Sequence, residues 1–449
     1  MRSLISLLCI LCFTTVSFGQ KTLSLDQAIQ IALQKNTTLQ RAENNLNNSE
    51  SSVKVAYGNF LPSINASTSW SWNRSVDDQP RTVLIGGSPI VVSGRTSETR
   101  SYGAGVNANW TLFDGLSNFA TLSQSNDNLE SARLQLENLK QNIVYQTISL
   151  YYAVINAEQL LKVQEDNLKW NKRNLETITE RNKLGAVTLA DVYSQQVKTG
   201  NAELALINAN NTFETAKSNL LSYLALDVLE DYSFTDSLTE QEKSILNMDL
   251  TSDYRDLSGL VAKALSNRAD YKSAQYDLES ASNGITIARS GHLPRLSGNI
   301  SYSLSANEFK NLSDSRSTSV GLTLSLPIFS GFRTSNQVQI AEVNEMNSQL
   351  ALNDLERTIK QDIQKAYLDL QAAQKSLEVN KTNVTAAEQN RKIQEERYSL
   401  GSSTLLDVLI ANSDYTTART NLINAQFSYI QLSQQLKYLL GELNYKKYE

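Results

Sequence analysis

The sequence predicts an α+β membrane protein: a trimeric 12-stranded β-barrel, four strands from each chain, continued by a long α-helical coiled-coil tunnel, with an internal two-fold repeat. Three observations carry this. One architectural unit is written twice, each copy holds two alternating segments of bilayer length, and each holds a helical segment too long for a globular domain. The repeat shows in Leu184-Gly185-Ala186-Val187-Thr188-Leu189-Ala190-Asp191-Val192, which recurs as Leu400-Gly401-Ser402-Ser403-Thr404-Leu405-Leu406-Asp407-Val408, displaced by 216 residues. The same displacement carries Phe113-Asp114-Gly115 onto Phe329-Ser330-Gly331. A duplication of this kind sets the whole fold. Repeat 1 is assigned to residues 20–226, an acidic linker to 227–255, repeat 2 to 256–443 and a C-terminal tail to 444–449.

Residues 1–19 read as a signal peptide: Met1-Arg2, an apolar run from Leu4 to Val16, then Ser17-Phe18-Gly19 with small residues where a signal peptidase cleaves. Both cysteines, Cys9 and Cys12, fall inside it, so the mature chain is expected to hold no disulfide and no thiolate metal site. Without Arg2 the chain carries 40 basic and 46 acidic residues, a balance of −6 that argues against nucleic acid. No later stretch approaches the roughly 20 apolar residues of a membrane-spanning helix, so any membrane crossing must use strands.

Ser24-Leu25-Asp26-Gln27 reads as a capping box opening a helix toward Tyr57, ended by Leu61-Pro62. Strands are expected at 62–72 and 102–113, where Ile64, Ala66, Thr68, Trp70 and Trp72, then Tyr102, Ala104, Val106, Ala108, Trp110 and Leu112, alternate with Ser, Asn, Gly and Thr. A loop rich in Gly and Pro separates them. Repeat 2 places strands at 295–304 and 318–329, with Leu296, Ile300, Tyr302, Leu304, Val320, Leu322, Leu324, Leu326 and Ile328 on the apolar side. Each run matches the roughly 9–11 residues that a tilted strand needs to cross a bilayer. Trp70, Trp72, Tyr102, Trp110 and Tyr302 stand near run ends, where interfacial aromatics belong. Any one run alone also fits a soluble sandwich; four of four, with an uncharged polar face, favour a barrel around water.

Neither Gly nor Pro interrupts 117–184 or 332–400, long helices of roughly 100 Å at ~1.5 Å per residue. Leu352, Leu355, Ile359, Ile363, Ala366, Leu370, Ala373 and Leu377 step by three and four, and Ile143, Thr147, Leu150, Val154, Ala157 and Leu161 answer in repeat 1. Return helices at 188–226 and 404–440 carry the same period, with Ala411, Ala418 and Ala425 alternating with Tyr415, Leu422 and Tyr429. That is the seam of a left-handed coiled coil. The linker is expected as an irregular equatorial belt.

Four strands cannot close a barrel, and an open edge in lipid leaves backbone groups unpaired at several kcal/mol each. Other copies must complete it. Strand counting leaves a dimer open, while the small neutral polar face fits the wider twelve-stranded trimer.

The chain resembles the TolC family of outer-membrane efflux channels along its mature length. The resemblance rests on Ala32-Leu33, Asn36, Leu61-Pro62, Ala264-Leu265-Ser266-Asn267-Arg268-Ala269-Asp270, Ala281, Ala288-Arg289, Leu293-Pro294 and the two tip motifs. It implies a homotrimer in the outer membrane with its helical tunnel in the periplasm, serving as exit duct for small molecules from an inner-membrane pump through a periplasmic adaptor. It also implies a pore constriction in which Asp407 matches a position where three aspartates ring the closed pore. Tyr398 and Asp191 match positions that hold the closed tip by hydrogen bonding. Ser403 stands where an arginine latch is usual and Ile410 where a second ring aspartate is usual. Adaptor docking is expected at Lys183, Leu184, Gly185, Ala186 and Val187 and at Leu400, Gly401, Ser402 and Ser403.

From the residues themselves, Gly185 and Gly401 end the long helices and Thr188 and Thr404 cap the return helices, with Asp191 and Asp407 three residues on. Nothing reads as catalytic: His292 is the single histidine, at a helix-to-strand junction, and no cofactor or metal is expected. Two other readings stand beside the efflux duct. A type I protein-secretion conduit shares the fold. A trimeric coiled-coil surface fibre would explain the heptads but not two pairs of bilayer-length strands.

Overall fold

Ser24 and Gln27 cap each other as the sequence predicts: Gln27 N–H donates to Ser24 Oγ at 3.3 Å and Ser24 N–H donates to Gln27 Oε1 at 3.0 Å. The helix they open is shorter than expected. In a computed structural model that describes residues 21–77, 79–92, 95–234, 246, 254 and 256–448, it divides into α1 (Leu25–Lys35) and α2 (Thr37–Gly58). Asn36 leaves helical geometry (φ −62°, ψ 118°), and its Oδ1 accepts from the N–H groups of Thr38 and Leu39. One residue thus ends α1 and caps α2. Repeat 2 breaks at the matching place, Arg268 (φ −63°, ψ 124°), between α5 (Leu257–Asn267) and α6 (Ala269–Ser290). The signal segment, and 235–245, 247–253 and 255 of the linker, lie outside the described residues.

The remaining strands in chain order are β1 (Lys21–Leu23), β2 (Ser63–Asp77), β3 (Arg81–Ile85), β4 (Ser88–Val92), β5 (Arg95–Phe113), β6 (Tyr232–Phe234), β7 (Arg295–Ala306) and β8 (Arg316–Ser325). The long helices are α3 (Ser117–Lys183) and α7 (Arg333–Ser399); the return helices are α4 (Leu189–Tyr223) and α8 (Leu405–Leu439).

Residue contacts divide the chain into two compact units. One comprises residues 42–136 and 269–357 and holds an antiparallel sheet in the order β2-β5-β7-β8. Its register obeys the repeat: Ser63 pairs with Asn109, and their counterparts Arg295 and Ser325 pair with each other. The first two strands outrun the expected bounds, because alternation continues beyond Trp72 into Arg74 and Val76. The fourth falls short of 329. It stops at Ser325, two residues before Pro327, which has no N–H to give the ladder. Leu326 and Ile328 are therefore exposed but off the strand. The segment read as a Gly/Pro loop folds instead as a β3–β4 hairpin, turned by Gly86 (φ 63°) and Gly87 (φ 88°). Two adjacent positive φ values are what a two-residue hairpin turn needs.

Strand hands over to helix through the duplicated Gly anchor. Gly115 (φ 69°) and Leu116 (φ 74°) both occupy left-handed geometry, as do Gly331 (φ 62°) and Phe332 (φ 63°). A non-glycine residue held there costs about 1–3 kcal/mol. The start of α3 packs on α6 through a polar seam: Gln124 donates to Ser280 O, Ser280 to Asn128 Oδ1, Ser131 to Asp277 Oδ1, and Asn283 to Asp127 Oδ2.

The second unit comprises residues 1–41, 137–268 and 358–449, of which the described part holds α1, α4, α5, α8 and the remainder of α3 and α7. Here the heptads close. Ile359, Ile363, Ala366, Leu370, Ala373 and Leu377 of α7 are buried, as are Ile143, Thr147, Val154 and Ala157 of α3 and Ala411, Ala418, Ala425, Tyr429 and Leu436 of α8. α3 and α8 run antiparallel, with Asn142 donating to Tyr438 Oη, Gln431 to Ser149 O and Asn156 to Asn424 Oδ1. Contacts seven residues apart on each helix hold a single register. β1 pairs in parallel with β6, and Lys21 bridges Glu230 at 2.7 Å. The linker's first residues therefore add a strand rather than an irregular belt. In the tail, Tyr445 is buried.

A Cβ at Gly115 would meet Leu293 Cβ at 2.7 Å and Ser290 O at 2.9 Å, whereas one at Gly331 meets nothing within 4 Å. Gly115→Ala should therefore destabilise the sheet unit by about 2–3 kcal/mol and Gly331→Ala by about 1 kcal/mol. Urea midpoints of tryptophan fluorescence measure both, and equal losses would refute the steric account.

Candidate functional site

At residue 183 the long helix ends because Gly185 supplies a left-handed residue (φ 71°). Ala186 N–H donates to Arg181 O at 2.9 Å and Gly185 N–H to Asn182 O at 2.9 Å, closing the last carbonyls. The second tip repeats this through Gly401 (φ 75°), with Ser402 N–H on Arg397 O at 2.8 Å and Gly401 N–H on Tyr398 O at 3.1 Å. Lys183, Leu184, Gly185, Ala186, Leu400, Gly401 and Ser402 are exposed; Leu184 and Leu400 retain 84% and 82% of their surface. Val187 and Ser403 are half-buried. Val187 turns inward onto a cluster of Ile178, Leu405 and Leu409, where Trp170, Val192 and Tyr398 also pack.

Each return helix opens on a reciprocal cap. Thr404 N–H and Oγ1 donate to Asp407 Oδ2 at 2.9 and 2.7 Å, and Asp407 N–H donates back to Thr404 Oγ1 at 3.3 Å. Thr188 and Asp191 make the same three bonds at 3.0, 2.7 and 3.2 Å. Ser403 Oγ lies 2.9 Å from Gln394 Oε1 and 3.1 Å from Asp407 Oδ2, and its one proton serves either acceptor. The Thr404 hydroxyl, the Thr404 amide and Ser403 hold the Asp407 carboxyl below the usual carboxylate range.

The tip residues implied by resemblance are not all brought together within the chain. Asp191 Oδ2 accepts from the Thr188 amide and hydroxyl, and the buried Tyr398 hydroxyl has no partner among the described residues. Tyr398 instead sits beneath Arg181, whose guanidinium carbon is 5.1 Å from the ring centroid. Asp407 and Ile410 are exposed on the face of α8 opposite buried Leu405, Val408, Leu409 and Asn412. Asp414, one heptad beyond Asp407, is exposed on that same face. Sequence reading passed over it, although the seven-residue spacing was there to find.

Higher on the same helices, Arg391 stands 4.2 Å and Arg419 5.7 Å from the Tyr415 ring, in a cleft of about 330 Å³ also lined by Lys169, Trp170 and Arg173. Its lining acid, Asp166, holds Arg419 at 2.9 Å, and the Trp170 indole donates to Glu395 Oε1 at 2.8 Å. His292 is exposed in the turn ending α6. Among the described residues, no group of three or more His, Cys, Asp or Glu side chains is placed to hold a metal.

The sheet forms the other functional surface. One face, through the paired core, shows Ser63, Asn65, Ser67, Ser69, Ser71, Asn107, Asn109 and Ser301, with Arg295 as its charge at the helix end. The other is zoned. Ile64 opposes Ala108 and Ala66 opposes Val106; then Trp70 opposes Tyr102, Trp72 opposes Arg100 and Arg74 opposes Glu98. At the helix end Trp110 donates its indole N–H to Phe60 O at 2.7 Å. Ile64, Trp70, Val320, Leu322 and Leu324 each keep more than 60% of their surface. No described helix is long and apolar enough to cross a membrane.

Comparison with known proteins agrees with this geometry. A family model described as outer membrane efflux protein matches residues 28–226 and 260–442. The chain is 24% identical to outer membrane protein TolC of Salmonella enteritidis over 448 residues, spanning 96% of this chain and 84% of that protein. It is 24% identical over 436 residues to outer membrane efflux protein BepC of Brucella suis, spanning 96% and 88%. In structure it is similar to the outer membrane protein VceC of Vibrio cholerae, with a TM-score of 0.79 at 20% identity, covering 93% of this chain and 96% of that one.

Thr188→Ala and Thr404→Ala should each cost about 1 kcal/mol at the start of their helices, read as faster amide exchange at 189–192 or 405–408. The Asp407 cap favours the charged carboxylate, so its contribution is complete above the ordinary carboxylate range and fades as pH falls through the depressed value. Exchange at 405–408, corrected for intrinsic rates, should hold at about pH 5 and quicken on further acidification; loss already at that pH would refute the cap as the cause.

Proposed function

Because this chain belongs to the outer membrane efflux protein family, we propose that it is the exit duct of a tripartite efflux system, a homotrimer carrying small molecules from an inner-membrane pump and periplasmic adaptor to the exterior. It is an outer-membrane protein, and its role there is passive: substrate moves through it, and no covalent step takes place.

The observation that carries this reading is the open four-stranded sheet. Its edges, β2 and β8, each have an unpaired side, and one face is apolar over a bilayer's depth. From Trp110 to Trp70 and Trp72, the aromatic-bounded band approximates the roughly 25 Å of outer-membrane barrels. In hydrocarbon, neither edge can remain open. Three copies supply twelve strands, enough to surround water rather than side chains. The helices ask for neighbours too: Leu189, Tyr193, Val197, Leu204 and Ile207 form an exposed apolar stripe along α4, spaced by four, four, seven and three. A stripe at that period fits a neighbouring helix.

The exposed apolar tips, Leu184 and Leu400 with their glycine turns, support docking of the adaptor there. Asp407 supports a cation-favouring ring, since three carboxylates around one axis attract cations. Asp414 adds a second acid one heptad away. Ring repulsion would raise the carboxylate pKa in the trimer, while the Thr404 cap lowers it; the two oppose.

Asp407→Ala should shift single-channel reversal potentials toward lower cation preference without reducing trimer yield, and Asp407→Ala with Asp414→Ala should shift them further. Unchanged selectivity in both would remove these acids from the pore. Gly401→Pro should abolish export of a small-molecule substrate while heat-modifiable barrel remains in the outer membrane. Full drug resistance in that variant would refute docking at the tip.

A further inference from the structure

The two free edges of the sheet are repeat counterparts of two strands that pair inside the chain. A displacement of 232 carries β2 onto β7, and one of 216 carries β5 onto β8. Together these displacements carry the β2–β5 register onto the β7–β8 register without a slip: Ser63↔Asn109 becomes Arg295↔Ser325, and Trp70↔Tyr102 becomes Tyr302↔Thr318. The remaining junction, β5–β7, has only one counterpart, β8 of one subunit against β2 of the next. Tyr102↔Ala306 then becomes Thr318 opposite the partner subunit's Arg74. Ala104↔Leu304 becomes Val320 opposite the partner subunit's Trp72, and Val106↔Tyr302 becomes Leu322 opposite the partner subunit's Trp70. Faces stay matched, since Asn107↔Ser301 becomes Thr323 opposite the partner subunit's Ser69. A slip of one residue would turn leucines into the water-facing side.

This register gathers charge at the sheet end farthest from the helices. Arg316, the repeat counterpart of Arg100, falls diagonal to the partner subunit's Arg74 across the seam. Arg74 is in turn diagonal to Arg100 within the β2–β5 pair. Diagonal neighbours on one face lie roughly 7–8 Å apart, within joint reach of long side chains. All three arginines are exposed on the apolar face, beyond the Trp70–Tyr102 pair and flanking Trp72. The acid on that patch, Glu98, approaches Arg74 at 3.7 Å. Arg100 and Arg316 have no acidic partner among the described residues.

We propose that each seam between subunits builds a binding site for the phosphorylated headgroup of an outer-leaflet glycolipid, from Arg316 of one subunit with the partner subunit's Arg74 and the partner subunit's Arg100. Guanidinium forks match phosphate oxygens in pairs. Their apolar stems lie along the sheet while the heads reach the polar layer. A lipid fits better than free phosphate because the surface directly below the cluster is Trp70, Trp72, Leu322 and Val320, which an acyl chain covers. The site rests on the trimeric barrel, since a lone chain holds only two of its arginines next to each other.

The first experiment separates the two claims. The mature chain is expected to lack cysteine, so oxidising a Thr323→Cys, Ser69→Cys double variant should give a crosslinked trimer ladder, while Thr323→Cys, Ser71→Cys should crosslink poorly. The opposite preference would overturn the seam register but keep the closed barrel; no crosslink from either would sink the barrel itself. The second uses the purified trimer, native mass spectrometry, diphosphorylated lipid A, the same lipid dephosphorylated, and inorganic phosphate. The diphosphorylated lipid should bind preferentially. Arg316→Gln and Arg100→Gln should each weaken it about tenfold, Arg316→Lys less, with trimer yield unchanged. Equal binding of both lipids, no loss in the glutamine variants, or displacement by inorganic phosphate at equimolar level would overturn the site.

Discussion

Every backbone N–H and C=O within a bilayer must find a partner, and the rest of this molecule answers to that requirement. Four antiparallel strands satisfy their interior ladders and leave β2 and β8 open on one side. The sheet consequently cannot be a finished object in lipid. The apolar face, the aromatic zone and the uncharged opposite face all presuppose a cylinder that one chain does not complete. The family to which the chain belongs is one in which the protein lies in the outer membrane and serves efflux.

A second constraint comes from the helices. Their apolar seams are narrow, and much of each helix surface is polar, so no thick core is available. Stability is spread along the length through small interlocking contacts. In one unit these are heptad alanines and leucines together with the Asn142–Tyr438, Ser149–Gln431 and Asn156–Asn424 contacts; in the other they are the Ser and Asn bonds between α3 and α6. Such polar contacts add little free energy individually but penalise any slip in register. Within each unit, register therefore matters more than net attraction.

The tips combine rigidity with exposed apolar side chains. Two glycine turns and two reciprocal Thr–Asp caps fix the backbone, so Leu184 and Leu400 are displayed without needing core contacts of their own. The departures from the usual latch residues have a structural counterpart. Ser403 supports the Asp407 cap, and Tyr398 is held by apolar packing and by the Arg181 guanidinium. Within the chain, this tip is held by the Ile178–Leu405–Leu409 cluster as well as by polar bonds.

Local chemistry and periodicity determined a great deal without any coordinates. The two-residue alternation marked Ile64 to Trp72 and Tyr102 to Leu112 as strands, the 3.5 period marked Ile359 to Leu377 as a buried seam, and Gly185 and Gly401 marked the ends of the long helices; each signal is carried by neighbours in sequence. What sequence could not supply were features set by partners far along the chain or by backbone angles. Asn36 and Arg268 interrupt helices whose apolar pattern runs on, and the Gly86-Gly87 turn makes a hairpin of a segment whose glycines also suit a loop. Tyr398 packs beneath Arg181 and makes no hydrogen bond to Asp191, whose Oδ2 accepts from Thr188, an arrangement visible only when all three groups have positions. Sequence thus settled which residues share a strand face or a helix seam, since both follow from spacing. Tertiary structure decided register and pairing, which depend on long-range geometry that no local pattern encodes.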